Sequence, residues 1–139
     1  MVDNNPALTT TSFVTVNENA VMCAIDAARS FATRGGCDEP TGVRIAIIVE
    51  ELMGNIVEHG ACVNGAVVEM TLAMIGDDIA LSLQDYGMMF DPRSVSPPHT
   101  PPERGGGAGI AMVMAWSRDV TWEHSGGRNH LRLIIRHYD

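Results

Sequence analysis

The sequence predicts an α+β protein: a two-layer α/β sandwich whose mixed, mainly antiparallel sheet carries its helices on one face. Three observations predict it. The elements read in the order β-α-α-β-β-loop-α-β-β, so strands come in hairpins rather than alternating singly with helices. The strands alternate apolar and polar residues, giving each one an inner and an outer face. The two long helical segments carry their apolar residues on a stripe, the pattern of a helix covered on one side.

"SFVTV", rich in β-branched and aromatic residues, reads as the first strand. From about Asn17 to Arg34, apolar residues recur at helical spacing as Val21, Ile25, Ala28 and Phe31, with Asn17 or Asn19 as cap and Gly35-Gly36 as terminator. A second helix runs from near Glu39 to His59 and ends at Gly60. In "AVVEMTLAMI", Val68, Met70, Leu72 and Met74 alternate with Glu69, Thr71 and Ala73. "GDD" turns the chain, and "IALSLQD" sets Ile79, Leu81 and Leu83 on one face. Residues 87–107 then hold five of the seven prolines and four of the fourteen glycines, the composition of a functional loop or lid. "AGIAMVMAWS" reads as a short apolar helix, and "DVTWEHSGGRNHLRLIIRHY" as two strands around a Ser-Gly-Gly turn, with His130 and His137 on opposite faces.

At 139 residues the chain has room for one domain with a core of its own. A hydrophobic content of 45% with 19% charged residues is that of a globular protein. The net charge is −8, and all nine basic residues are scattered arginines, so direct binding to nucleic acid or an anionic membrane is not expected. Cys23, Cys37 and Cys62 form neither an even set nor a Cys-x-x-Cys pair, which fits a reducing cytoplasm. "MVDNNPALTTTS" lacks the regions of a signal peptide, and the apolar runs are too short to span a membrane. A cytoplasmic location is therefore expected, with residues 1–11 as a flexible N-terminal segment.

Three features could carry chemistry. In "VEELMGNIVEHG", Glu51, Asn55 and His59 are four apart and share one helix face, beside the apolar stripe Ile45, Ile48, Leu52 and Ile56. Glu50 lies about 100° round the helix and is the poorer candidate for a base. In "LQDYGMMFDP", Asp85 ends a strand and Gly87 follows, so a carboxylate able to accept from an exocyclic amine stands beside a residue that permits close approach. In "RGGGAGIAMVMA", glycines run straight into a helix, whose free N–H groups and dipole favour an anion. It is not a P-loop, since no Gly-Lys-Ser/Thr follows, and it is not a dinucleotide fingerprint, since Met112 stands where a third small residue is required. Taken singly these are an amphipathic helix, a turn and a glycine hinge.

Taken in order they resemble the GHKL (Bergerat-fold, histidine-kinase-like) ATPases, and among them the anti-sigma-factor serine/threonine protein kinases. Glu51 to His59 matches the N box of that family, "DYGMMFDP" its first glycine box and "GGAGIAMV" its second, while "SGGRNHLRLIIR" resembles its closing hairpin. The resemblance spans about residues 12–137, and implies a histidine-kinase-like ATPase domain over 12–139. It implies ATP and Mg²⁺ as cofactors. Asn55 would be the metal ligand, and Glu51 the catalytic base toward the attacking hydroxyl. Asp85 would read the adenine amino group beside Gly87. Arg104, Gly105, Gly106, Gly107, Ala108 and Gly109 would hold the phosphates, His59 would complete the nucleotide site, and residues 88–104 would form the lid. The family pattern is Asp-x-Gly-x-Gly, and Met89 replaces its second glycine, an expected obstacle at the lid.

The resemblance further implies a kinase that sequesters a sigma factor and phosphorylates a small antagonist protein on serine, acting as a homodimer. The alternative is a non-catalytic module of the same fold that only sequesters a partner. The ATPase half of a histidine kinase is a third reading, for which 139 residues leave no room for a phosphoacceptor region.

Overall fold

The computed structural model describes residues 8–60, 64–94 and 107–138. In chain order the elements are β1 (Thr9–Thr15), α1 (Ala20–Arg34), α2 (Glu39–His59), β2 (Val67–Ile75) and β3 (Asp78–Asp85). After a short 3₁₀ turn at Pro92–Ser94 come α3 (Gly107–Trp116), β4 (Ser117–Ser125) and β5 (Arg128–Ile135). The five strands form one sheet in the order β1-β2-β3-β5-β4. All four pairings are antiparallel, so the mainly antiparallel sheet that was expected contains no parallel pair among the described residues.

Side-chain alternation decides which face is covered. Met70, Leu83 and Leu131 lie in one cross-strand row, and Leu72, Leu81 and Leu133 in the next. All six are buried in a single core with Ile45, Ile48, Leu52 and Ile56 of α2 and Phe31 of α1. The apolar stripe of α2 therefore lies against the sheet, as its spacing requires. On the other face Thr71, Ser82, Arg132 and Thr121 form the corresponding row, which is polar and partly or fully exposed.

Local chemistry fixes the ends of the elements. Asp38 caps α2 by accepting the Thr41 N–H at 2.9 Å, with Pro40 in the first turn. The β4–β5 turn is made by Gly126 and Gly127 with φ of 63° and 76°, a two-residue hairpin that needs positive φ twice. The chain after β5 folds back on α2 and the start of β3: Tyr138 N–H donates to Thr41 Oγ1 at 3.1 Å and His137 N–H to Asp78 Oδ1 at 2.9 Å. The Arg44 guanidinium lies over the rings of both Trp116 and Tyr138, at 5.0 and 5.2 Å.

Three boundaries differ from expectation. β1 begins at Thr9, so Thr9–Thr11, placed in the flexible start, pair with Ala73, Leu72 and Thr71; a run of threonines suits a half-exposed edge strand. α1 begins at Ala20 rather than Asn17, because the Asn17 side chain accepts the Asn19 N–H at 2.8 Å and its carbonyl accepts from Ala20. β5 ends at Ile135, where its pairing with Ser117 stops, so His137 lies beyond the strand.

Candidate functional site

α2 is a 21-residue helix whose C-terminal half meets the start of α3 and the 3₁₀ turn at Pro92. Its buried residues include both Glu51 and Asn55, while Glu50 is exposed. An all-apolar helix face would have sufficed for packing, so two buried polar side chains at helical spacing mark the part of α2 that does something else.

Glu51 reaches the start of α3. A β-carbon at Gly109 would lie 2.1 Å from Glu51 Oε2 and 2.7 Å from Oε1, a separation no real side chain tolerates. Glycine at 109 is thus what allows the carboxylate to rest against the first turn of α3, 58 residues further along the chain.

Asn55 reaches the segment after β3. Its Nδ2 donates to the Pro92 carbonyl at 3.0 Å. Since a carbonyl only accepts, this bond fixes which end of the amide is nitrogen and which is oxygen.

Asp85, the last residue of β3, is buried, and its Oδ1 accepts from Gly87 N–H at 2.9 Å and from Asn129 Nδ2 at 3.0 Å. From Asp85 the chain crosses to Pro92, where Asn55 holds it, so Asp85 and Asn55 bracket one short segment. Beside Pro92, Asp91 accepts from the Arg93 backbone N–H at 2.9 Å and from its guanidinium at 2.7–3.1 Å. The paired carboxylate keeps the Arg93 guanidinium even more firmly protonated than usual.

The structure brings Glu51 to Gly109 at the start of α3, Asn55 to Pro92, and Asp85 to Gly87 and Asn129. His59 is apart from them: its side chain is 47% exposed at the end of α2 and lies 3.6 Å from Glu58. Arg104, Gly105 and Gly106 lie outside the described residues, as do residues 95–104 of the expected lid. Gly107 and Ala108 open α3 ahead of Gly109. Met89, expected to obstruct the lid, is 69% exposed. One participant was missed from sequence: Asn129, 2% exposed, the cross-strand partner of Asp85. Its only signal was a polar residue on the inner face of an otherwise apolar strand, at the register position of Asp85. Among the described residues no group of three or more His, Cys, Asp or Glu side chains is placed to hold a metal. No helix among them is long and apolar enough to cross a membrane.

Comparison with known proteins agrees with this architecture. A search of curated proteins found no match. Among solved structures, the crystal structure of the RsbU and RsbW domains of Rv1364c from Mycobacterium tuberculosis superposes with a TM-score of 0.68 at 20% identity, over 94% of this chain. The chain spans only 33% of that protein's chain. The family model described as the histidine kinase-like ATPase domain matches residues 14–135, from within β1 to the end of β5. The protein thus belongs to the histidine-kinase-like ATPase family, with a sheet, a buried polar helix face and a glycine-started helix in the positions that the sequence order predicted.

Proposed function

We propose that the chain is an ATP-dependent anti-sigma-factor regulator, a serine/threonine protein kinase that phosphorylates a small antagonist protein and sequesters a sigma factor. Membership of the histidine-kinase-like ATPase family and the likeness to a structure with an RsbW domain support this reading. The observation that carries it is the approach of the Glu51 carboxylate to Gly109 at the first turn of α3. A general base and an anion-favouring helix start side by side are what phosphoryl transfer needs.

The roles follow from the side chains. The Asp85 carboxylate, held by two N–H donors on one oxygen, is an acceptor suited to the 6-amino group of adenine. The amides at the start of α3 receive phosphate oxygens. The residues fit Mg²⁺ as well, because the Pro92 contact orients the Asn55 amide, whose oxygen is a hard donor of the kind this ion prefers. Magnesium, when bound with ATP, supplies neutralisation of phosphate charge. Glu51 takes the proton from the substrate serine as its oxygen attacks the γ-phosphorus. The bond from that phosphorus to the β,γ-bridging oxygen breaks, and ADP leaves with the electron pair.

Calorimetry with Mg·ATP and Mg·ADP tests the site, and transfer of labelled phosphate to a serine-bearing antagonist tests the reaction. Micromolar binding that weakens in Asp85→Asn and Asn55→Ala is expected, together with loss of transfer in Glu51→Gln. Undiminished transfer by Glu51→Gln would remove Glu51 as the base. Absence of nucleotide binding would leave a sequestering module without kinase activity.

A further inference from the structure

The Asn129 side chain makes four hydrogen-bond contacts, and every one goes to one neighbourhood. Its Nδ2 donates to Asp85 Oδ1 at 3.0 Å and to the Met88 carbonyl at 2.7 Å. Its Oδ1 accepts from Phe90 N–H at 3.0 Å and is 3.0 Å from His124 Nδ1. The amide cannot be turned over, because Met88 O only accepts and Phe90 N–H only donates. With Oδ1 committed as acceptor, His124 carries its proton on Nδ1 when it makes this contact. Asp85, Asn129 and His124 form a row across β3, β5 and β4, since Asp85 pairs with Asn129 and Asn129 with His124.

We propose that Asn129 is a positioning residue for base selection: one buried amide joins the Asp85 carboxylate to the turn through Met88 and Phe90, and so sets Asp85 as a fixed acceptor for an amino-bearing purine. This rests on the reading of Asp85 as the adenine-recognising group. The physical reason is the sign of the hydrogen bonds. Nδ2 is a donor only, so an acceptor oxygen of Asp85 must face it, and the carboxylate cannot rotate without losing that bond and the one from Gly87. The same nitrogen ties down the Met88 carbonyl, and the oxygen ties down Phe90, so the turn that follows Asp85 moves only if Asn129 releases it. A fixed acceptor rewards the 6-amino group of adenine and penalises the 6-oxo group of guanine, because an acceptor facing an acceptor leaves both unsatisfied.

The test is selectivity rather than affinity. Calorimetry on the full chain measures Mg·ADP against Mg·GDP for the wild type, Asn129→Asp and Asn129→Ser. The aspartate keeps the acceptor half and loses the donor half; the serine is too short to span the four partners. The preference for ADP is expected to fall at least about tenfold in both, with Asp85→Asn as the reference for complete loss. A purely structural amide would lower the melting temperature and weaken the two nucleotides equally, so an unchanged preference in the folded variants overturns the proposal. If the variants do not fold, the wild type decides: the side-chain amide proton resonances of Asn129 are expected to shift on adding Mg·ADP and not on adding Mg·GDP, and equal shifts overturn it. A wild type that binds neither nucleotide refutes the nucleotide-site reading itself, a result distinct from binding without dependence on Asn129.

Discussion

Gly109→Ala separates the fold from the chemistry. The added methyl would sit 2.1 Å from Glu51 Oε2 and 2.2 Å from Cδ, so the carboxylate must retreat by about 1.3 Å to reach the 3.4 Å of ordinary contact. What yields is the tip of a flexible side chain, and α3 gains a better helix former, by about 1 kcal/mol at most. The melting temperature is therefore expected to hold or rise. Catalysis is a different matter. A catalytic group displaced by about 1 Å costs on the order of 100-fold in rate, equivalent to about 2.7 kcal/mol of barrier. The assay is single-turnover phosphate transfer from Mg·ATP, run beside a thermal melt and calorimetry with Mg·ADP. Transfer should fall about 100-fold while the protein stays folded. Adding the substitution to Glu51→Gln should cost little more, because both act on one group. Transfer within about threefold of wild type in a folded Gly109→Ala protein would refute the placement of Glu51 as base at this helix start.

Three further outcomes are expected. Asn55→Ala removes the Nδ2 donor to the Pro92 carbonyl, and should cost about 1–3 kcal/mol in urea unfolding while reducing the Mg²⁺ dependence of nucleotide binding. Leu52→Ala, at a fully buried position facing the sheet, should cost about 2–5 kcal/mol and weaken nucleotide binding only as far as the folded fraction falls. Acid should loosen the C-terminal strap: hydrogen bonds from the Thr41 side chain and backbone, and the nearby His137, hold Asp38 below the usual carboxylate range, and the His137 N–H and Arg118 do the same for Asp78. Both contributions are present in full above the unfolded value of about 3.9 and are lost as pH falls below it through the lowered folded values. Thermal melts from pH 5 to 3 should show a shallower decline in Asp38→Asn/Asp78→Asn than in wild type.

Much of the fold was legible because burial imposes period on the chain. The end of α2 at His59 followed from Gly60, and the strand faces followed from alternation at Met70, Leu72, Ile79, Leu81 and Leu83. Glu51 and Asn55 stood out as polar residues beside an apolar helix stripe and Asp85 as a carboxylate at a strand end before Gly87, and the order of the three motifs suggested their roles. Glu50 and Glu51 are neighbours of the same chemistry, and only the 100° between them separates the exposed one from the buried one. The bonds of Asn129 and the Gly109 contact were not legible, since each depends on a partner in another element.

Patterning within single elements determined that this chain makes a sheet covered on one side, with polar groups on one stripe of its longest helix. Contact between elements decided the rest: that Glu51 lies against Gly109, that Asn55 holds Pro92, and that Asn129 faces Asp85. The reason is range. Periodicity and capping act over three or four residues, whereas the partners in these contacts are 58, 37 and 44 positions apart and meet only once strand order and register have set them side by side.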